Sequence, residues 1–361
     1  MSYIYLRVLR HVDHTVFCVD KGQKYYWDSQ FQQKVPYSSG QQVKRSILTE
    51  IVDQLNVNPS PTTFVFDIGS KNELGEGEVL SVCDPRYPDQ LLGGWMRAIS
   101  GGEQRTIKRR SPLSISALRP LHPTLAGYST ENITFDRSDR PGLHKVRVYK
   151  KVNNARVEVP EDELKQFLEG TDRSLTRKWI PDNARTSGLF VYDVAIDLRT
   201  LFCVSTNQFE PELDEETIQK LKDSGWKESD NVFGPCLVCP EDVRKEIIPA
   251  LSKALLNWRI TSNQARTFSL METLAVAISD NANKVASAIR TKLVGDSEQP
   301  KAKPIIDESL DGVNIFVTLP CAGYVVTQNE SADALERAEN KLIELMSQFD
   351  FENQVTVNEQ N

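Results

Sequence analysis

The segment from residue 34 to residue 48 combines hydroxyl groups, a glycine and two cations in a way that suits phosphate binding. Ser38 and Ser39 are typical N-cap residues, and Gly40 permits a close backbone approach. Apolar residues follow at four-residue spacing, which predicts one buried helical face: Val43, Ile47, Ile51 and Leu55. Lys44 and Arg45 lie off that face near the helix start, where unpaired N–H groups and the helix dipole favour an anion. The alternative is an ordinary capped, amphipathic helix with two solvated cations.

Two further runs carry the same chemistry. Lys108, Arg109 and Arg110 stand beside small hydroxyl residues, and cations with hydroxyls are the usual contacts to phosphate and sugar. The alternative for this run is a solvated loop. The polar segment from 259 to 272 contains amide, cation and hydroxyl groups in a row: Asn263, Gln264, Arg266 and Thr267.

Metal and cofactor chemistry is weakly supported. Cys236 and Cys239 form a lone Cys-x-x-Cys without a second ligand pair. His11 and His14 would point to opposite faces of a strand. The strand from 188 to 199 places Asp193 and Asp197 on one polar face, but about 13 Å apart, which is too far for a two-metal site. No metal, cofactor or catalytic group is therefore expected.

Size and charge restrict the class of protein. The chain has 361 residues, 39% of them hydrophobic, and a formal net charge of −7. It is long enough for a large core. An acidic balance argues against coating nucleic acid with the whole surface, but leaves room for one basic lane. The sequence contains no run of about 18 apolar residues, and we expect no export signal. The predicted location is therefore the cytoplasm, where the six cysteines are expected to be reduced.

Periodicity predicts the elements that position these residues. Strands are expected at 3–19, 63–67, 188–199, 274–278 and 313–319, with the strand at 188–199 central and the strand at 63–67 short and buried. Helices are expected after residue 40, at 243–258 with Pro249 kinking or restarting the helix, and at 335–349. Segment 70–185 shows no long helical periodicity, and segment 200–240 contains only a short helical piece. Both are therefore predicted to be insertions. No array of exposed aromatic residues is expected.

Five motifs in order resemble one family. They are Pro36-Tyr-Ser-Ser-Gly40 with its two cations, Asp89-Gln-Leu-Leu-Gly-Gly-Trp95, Arg109-Arg-Ser-Pro-Leu-Ser-Ile-Ser116, the strand from Gly188 to Leu198 followed by Arg199, and Asn263-Gln-Ala-Arg-Thr-Phe-Ser269. In these motifs the chain resembles the CRISPR-associated Cascade backbone subunit of the DevR type, in the RAMP superfamily. The motifs span about two thirds of the chain; the part after residue 301 does not match the family.

The resemblance implies an α+β fold with an RRM-like (ferredoxin-like) antiparallel palm and large fingers and thumb insertions. The implied division is palm at 1–69, fingers at 70–185, a palm strand at 186–200, thumb at 201–240, palm at 241–330, and a C-terminal helix and tail at 331–361. It also implies a filament of copies on guide RNA, alongside other Cascade subunits, with bases presented to a target DNA strand. No membrane partner is implied.

By the same resemblance, the loop and helix at 38–45 and the loop at 263–267 hold the guide RNA backbone independently of sequence, and the chemistry of the 108–110 run adds it to the expected RNA-binding residues. These are Ser38, Ser39, Gly40, Gln41, Lys44, Arg45, Lys108, Arg109, Arg110, Asn263, Gln264, Arg266 and Thr267. The chain is then expected not to be an enzyme. The rival hypothesis is a metal-dependent endoribonuclease that cuts target RNA with a loop aspartate, for which Asp67 and Asp84 are the candidates.

Overall fold

The computed structural model describes residues 1–17, 23–69, 72–97, 106–139, 141–260, 268–295, 297 and 300–355. Its strands are β1 (Tyr3–Thr15), β2 (Tyr25–Asp28), β3 (Gln33–Pro36), β4 (Thr62–Val65), β5 (Glu78–Ser81), β6 (Trp95–Arg97), β7 (Ile107–Arg109), β8 (Leu113–Ile115), β9 (Arg119–Pro120), β10 (Ala126–Asp136), β11 (Tyr149–Val152), β12 (Ala155–Glu158), β13 (Arg177–Asp197), β14 (Cys203–Ser205), β15 (Lys227–Asn231), β16 (Gly234–Val238), β17 (Thr273–Ser279), β18 (Ile289–Val294), β19 (Lys301–Ile306), β20 (Asn314–Thr318) and β21 (Glu330–Ser331). Its α-helices are α1 (Gly40–Leu55), α2 (Pro88–Gly93), α3 (Leu164–Leu168), α4 (Leu198–Leu201), α5 (Glu215–Asp223), α6 (Glu241–Asn257), α7 (Ala282–Ala288) and α8 (Ala334–Ser347). The class is α+β, as predicted.

The central strand of the main sheet is β1. It pairs antiparallel with β13 on one side and with β17 on the other, so that Leu6 lies opposite Val194 and Ile278. The short strands β8 and β9 pair antiparallel with the far side of β13, and β20 pairs with β17. The strand order is therefore β21, β20, β17, β1, β13 and β10, with β8 and β9 also paired to β13. The predicted strand at 188–199 forms the C-terminal half of β13, which ends at Asp197. It lies next to the central strand and is not itself central.

Alternation along β1 gives the sheet two different faces. Ile4, Leu6 and Val8 are fully buried on the face that packs against helices. Helix α1 contributes Val43, Ile47 and Ile51 to the same core, as the four-residue spacing predicted. Helix α6 packs against α1 and α8 packs against α6, so three amphipathic helices cover this face.

The other face has a smaller core and a polar region. The core lies under α7 and includes Leu9, Val191 and Ala275. Beside it the predicted polar face carries Asp193 and Asp197, and both carboxylates form ion pairs.

The C-terminal tail fastens the segment from 201 to 240 to the core. This segment forms a three-stranded sheet, β14-β16-β15, with α5, and its residues Leu221 and Leu237 are fully buried. Glu352 accepts ion pairs from Arg244 and Lys227 at 3.3 Å each. The segment predicted as an insertion is thus well packed.

The prediction of a buried strand at 63–67 is wrong. Strand β4 is exposed along its whole length, and among the described residues it pairs only with β5, as a two-stranded hairpin. Phe64 is 63% exposed, because no described element packs over it. A run of apolar residues indicates a strand but does not show what lies over it.

The chain forms two compact units. The first comprises 1–127 and 186–361, and the second is Tyr128–Arg185, with the β11–β12 hairpin and α3. The second unit covers only the latter half of the segment predicted as fingers, since β5 to β9 belong to the first unit. Among the described residues, no helix is long and apolar enough to cross a membrane.

Candidate nucleic-acid interface

The start of α1 is built as a capped helix, and Ser39 is its N-cap. The Ser39 Oγ accepts a hydrogen bond from the backbone N–H of Gln42 at 3.4 Å. Ser38 is buried and belongs to the fold, because its backbone exchanges hydrogen bonds with Leu118 at 2.9 and 3.1 Å. Only one of the two predicted hydroxyls therefore lies at the helix end with partial exposure.

The close approach predicted at Gly40 occurs within the protein. A Cβ at this position would lie 2.9 Å from the carbonyl oxygen of Ile115 and 3.2 Å from the carbonyl carbon of Ser116. Any larger side chain would push these backbones apart. The glycine therefore serves packing between α1 and β8, and not a phosphate at that point.

Lys44 and Arg45 differ in availability. The Lys44 ammonium donates to the carbonyl oxygen of Gly93 at 2.7 Å, and burial followed by the nearby charge of Arg109 lowers the Lys44 pKa to about 8. A neutral fraction at mildly alkaline pH makes Lys44 a weaker anion ligand than predicted. Arg45 and Gln41 are exposed on the outer surface of the first turns of α1.

The prediction that Arg109 contacts phosphate is wrong, because Arg109 is buried in the interior. Its guanidinium donates to the carbonyl oxygens of Leu91, Thr200 and Cys203, and it lies 3.7 Å from the carboxylate of Glu212. Burial lowers the pKa of Arg109. The period-2 alternation of β7 explains the arrangement, because it turns Arg109 inward together with Ile107.

The same alternation leaves Lys108 and Arg110 exposed. Both line a cleft of about 560 Å³ between the 108–112 segment and the β14–β16 sheet. Arg199 lies in the same cleft, 4.8 Å from the ring centre of Tyr3 and 4.9 Å from that of Phe233. The cleft also contains acids, Asp197, Glu210 and Glu212, so it is mixed in charge.

The first two predicted runs meet in space. Gly93 and Gly94 lie between them: Gly93 accepts the Lys44 hydrogen bond, and a Cβ on Gly94 would lie 2.5 Å from the Arg109 carbonyl oxygen and 2.7 Å from the Ser111 nitrogen. Gly94 has a φ of +73°, which favours glycine. The pair of glycines noted in the sequence thus joins the start of α1 to the 108–116 segment.

The third run lies largely outside the described residues. Asn263, Gln264, Arg266 and Thr267 lie outside the described residues. The segment that leads into them is held firmly, because side chains of the sheet bind the last carbonyls of α6. Arg10, fully buried, donates to the carbonyls of Leu256 and Trp258 at 2.6 and 2.7 Å.

Arg10 is a residue that sequence reasoning missed. It has no carboxylate partner among the described residues, and its guanidinium lies 4.4 Å from the ring centre of Trp258 and 5.2 Å from that of Tyr192. The Tyr192 hydroxyl donates to the carbonyl of Leu255. The only sequence signal for Arg10 is a cation at an inward position of an alternating strand.

The two acids of the rival hypothesis have different surroundings. Asp84 is bound by the guanidinium of Arg86 at 2.6 Å, and Asp67 lies on the exposed β4–β5 hairpin. Within the described part of the chain, no group of three or more His, Cys, Asp or Glu residues could hold a metal ion. Cys236 and Cys239 are both buried free thiols.

Comparison with known proteins gave distant structural likenesses, of which two are described here. No family model matches the chain, and no curated protein sequence matches it. One similar solved chain comes from a complex described as a CRISPR RNA-guided surveillance complex, pre-nicking, with 8% identity and a TM-score of 0.43 over 95% of this chain and 88% of that chain. Another, from a CRISPR RNA-guided surveillance complex, has 11% identity and a TM-score of 0.42 over 94% of this chain and 99% of that chain.

Proposed function

We propose that this chain is a non-catalytic backbone subunit of a CRISPR interference (Cascade) complex. It binds guide RNA through the sugar-phosphate backbone, independently of sequence, and leaves bases free to pair with a target DNA strand. Its other partners are further copies of itself and other subunits of the complex. The ordered set of five motifs supports this assignment.

Strand order supports an RRM-like palm. Taking β1, then β8 and β9, then β13, then β17 as four successive positions gives the spatial order four, one, three, two, with every neighbour antiparallel. The crossover helices α1 and α6 pack against each other over the same core. In this proposal Tyr128–Arg185 belongs to the fingers and the 201–240 segment is the thumb.

The observation that carries the RNA-binding proposal is the meeting of the α1 start with the 108–116 segment through Gly93 and Gly94. Two runs more than sixty residues apart in the sequence are thereby brought next to each other. The exposed cations of these runs are Arg45, Lys108 and Arg110. Cations, hydroxyls and helix N–H groups are the groups that hold phosphate without reading sequence.

A charge-reversal experiment tests this proposal. Lys108→Glu with Arg110→Glu is expected to weaken binding of unrelated single-stranded RNAs about equally, and to make the dependence of log affinity on log salt shallower by about one unit for each lost contact. Fluorescence anisotropy over a series of salt concentrations measures both quantities.

Arg337→Glu with Lys245→Glu is the matched control, since both residues are exposed, lie far along the chain from residues 108–110 and together undergo the same charge change. A Lys108→Glu, Arg110→Glu variant that behaves like this control, or that loses affinity for one sequence only, contradicts the proposal. Arg109 and Lys44 are unsuitable targets because their substitution also disturbs packing.

A further inference from the structure

The β2–β3 hairpin presents aromatic rings that the core does not cover. Tyr25 is 45% exposed and Trp27 is 61% exposed. Residues two apart on a strand point to the same face, so these two rings share one side of the hairpin. The expectation that the chain has no exposed aromatic array is therefore wrong at this hairpin.

A cation belongs to the same face. Lys34 lies directly across from Trp27 in the hairpin register, and its ammonium is 4.7 Å from the ring centre of Tyr25. The acid of the hairpin, Asp28, lies next to Trp27 in the strand and so points to the other face. There its carboxylate accepts a hydrogen bond from the Phe31 N–H at 2.8 Å and fixes the turn.

The hairpin is held in place relative to the start of α1. The Tyr37 N–H donates to the Lys24 carbonyl at 3.1 Å, and the Gln23 side chain donates to the carbonyls of Lys24 and Tyr37 at 2.7 and 3.1 Å. Pro36, opposite Tyr25, is three residues from Ser39, a distance of about 10 Å in extended chain. The hairpin is thus fixed close to the first turn of α1.

We propose that Tyr25 and Trp27 form a stacking platform for unpaired bases of single-stranded nucleic acid, with Lys34 beside it for the adjoining phosphate. Positions i and i+2 of a strand are about 6.8 Å apart, twice the 3.4 Å rise between stacked bases, which leaves room for one base between the rings. Aromatic rings with a nearby cation are the usual means of binding single strands without reading sequence. This inference rests on the proposed function and adds base contacts to it.

The other exposed hairpin provides a contrast. Phe64 on β4 is equally exposed, but that hairpin carries Glu73, Glu76 and Glu78, whose charges repel phosphate. Exposure of an aromatic ring alone therefore does not make a nucleic-acid site. The cation beside the ring and the closeness to the α1 start distinguish the β2–β3 hairpin.

Binding of matched oligonucleotides by the full chain tests the inference. Fluorescence anisotropy is measured with a single-stranded RNA, with an abasic oligomer of the same phosphate number, and with DNA of the same sequence. Tyr25→Ala with Trp27→Ala is expected to lower affinity for intact RNA by about 5-fold to 100-fold per stacked base, and affinity for the abasic oligomer by less than about 2-fold. An equal loss of affinity for intact DNA shows that the site binds both single-stranded RNA and single-stranded DNA. A loss of affinity for RNA alone shows that the site is specific for RNA.

Conservative and control variants sharpen the result. Trp27→Phe retains a ring and is expected to keep most of the affinity, and Phe64→Ala is expected to behave like wild type. Annealing the RNA to its complement removes unpaired bases, so the difference between wild type and the double variant is expected to disappear.

The failures are distinguishable. If wild type binds no RNA, the proposed function and this inference fail together. If wild type binds intact and abasic oligomers equally, or the double variant loses both equally, only the stacking platform is refuted. If the double variant keeps its RNA affinity but no longer self-associates in size-exclusion chromatography, the hairpin is a contact between copies of the chain and the inference is likewise refuted.

Discussion

Replacing Arg10 by Met tests how the sheet holds the end of α6. Arg10 is fully buried, and its guanidinium donates to the carbonyls of Leu256 and Trp258. Met keeps a similar apolar volume but donates no hydrogen bond. The substitution therefore removes the donors and the charge together while leaving little cavity.

Two opposing contributions set the magnitude. Burial lowers the pKa of Arg10 from 12.5 to about 10, and a difference of this size corresponds to about 3 kcal/mol against the charged form. Two hydrogen bonds from a charged donor contribute about 1.5–3 kcal/mol each, and a desolvated contact with a Trp ring about 2 kcal/mol. The favourable contributions exceed the burial cost, so Arg10→Met is expected to lower the free energy of unfolding by about 2–5 kcal/mol.

Urea unfolding of the full chain, followed by far-ultraviolet circular dichroism, measures the change through the midpoint at constant slope. Arg45→Met is the control, because Arg45 is exposed and its loss is expected to change stability by no more than about 0.5 kcal/mol. An Arg10→Met variant as stable as wild type, or more stable, would show that the burial cost prevails, as it does for some buried charges. The argument from hydrogen bonding would then be refuted.

Two further predictions concern backbone approach and pH. Gly94→Ala would place a Cβ 2.5 Å from the carbonyl oxygen of Arg109 in β7, at a φ of +73°, so the free energy of unfolding measured by thermal unfolding is expected to fall by about 1–3 kcal/mol. Gly142→Ala, which has no atom within 4 Å of the added Cβ, is the control and is expected to leave stability unchanged. Equal effects of the two substitutions would contradict the close contact at Gly94. In the second unit, hydrogen bonds from Ser138 and then Arg177 lower the pKa of Asp136 from 3.8 to about 2. Because the folded-state pKa lies below the unfolded value, the Asp136 carboxylate stabilises the folded unit above pH 3.8, and this stabilisation is lost as the pH falls towards 2. The excess hydrogen-exchange protection of wild type over Asp136→Asn should shrink across that range, and a pH-independent excess would count against the carboxylate.

Local periodicity predicted the elements of the core. The four-residue spacing of Val43, Ile47 and Ile51 and the alternation through Tyr192 both record burial on one face, and the structure buries all four residues. Such patterns arise because the same face must meet the core along the whole element. They do not show whether a second layer covers the element, which is why the strand at 63–67 is predicted to be buried although β4 is exposed.

The candidate site was less predictable, because the sequence alone does not show whether a charged side chain lies in solvent or in the core. Lys108 and Arg110 are exposed as expected, but Arg109 between them binds three carbonyls in the interior. Alternation through Ile107 contains this information once β7 is known to be a strand. The carbonyls that compensate Arg10 and Arg109 come from distant segments, and no local pattern encodes them.

The acidic character of the chain bears on how it would bind RNA. A net charge of −7 repels a polyanion, but at physiological salt this repulsion is screened beyond about 8 Å. Cations in direct contact, such as Lys108, therefore act locally, while helix N–H groups and stacked rings contribute attraction that does not depend on net charge. A surface that combines Ser39 and the α1 start with the rings of Tyr25 and Trp27 is consequently expected to bind RNA with a weaker salt dependence than a wholly cationic groove of equal affinity.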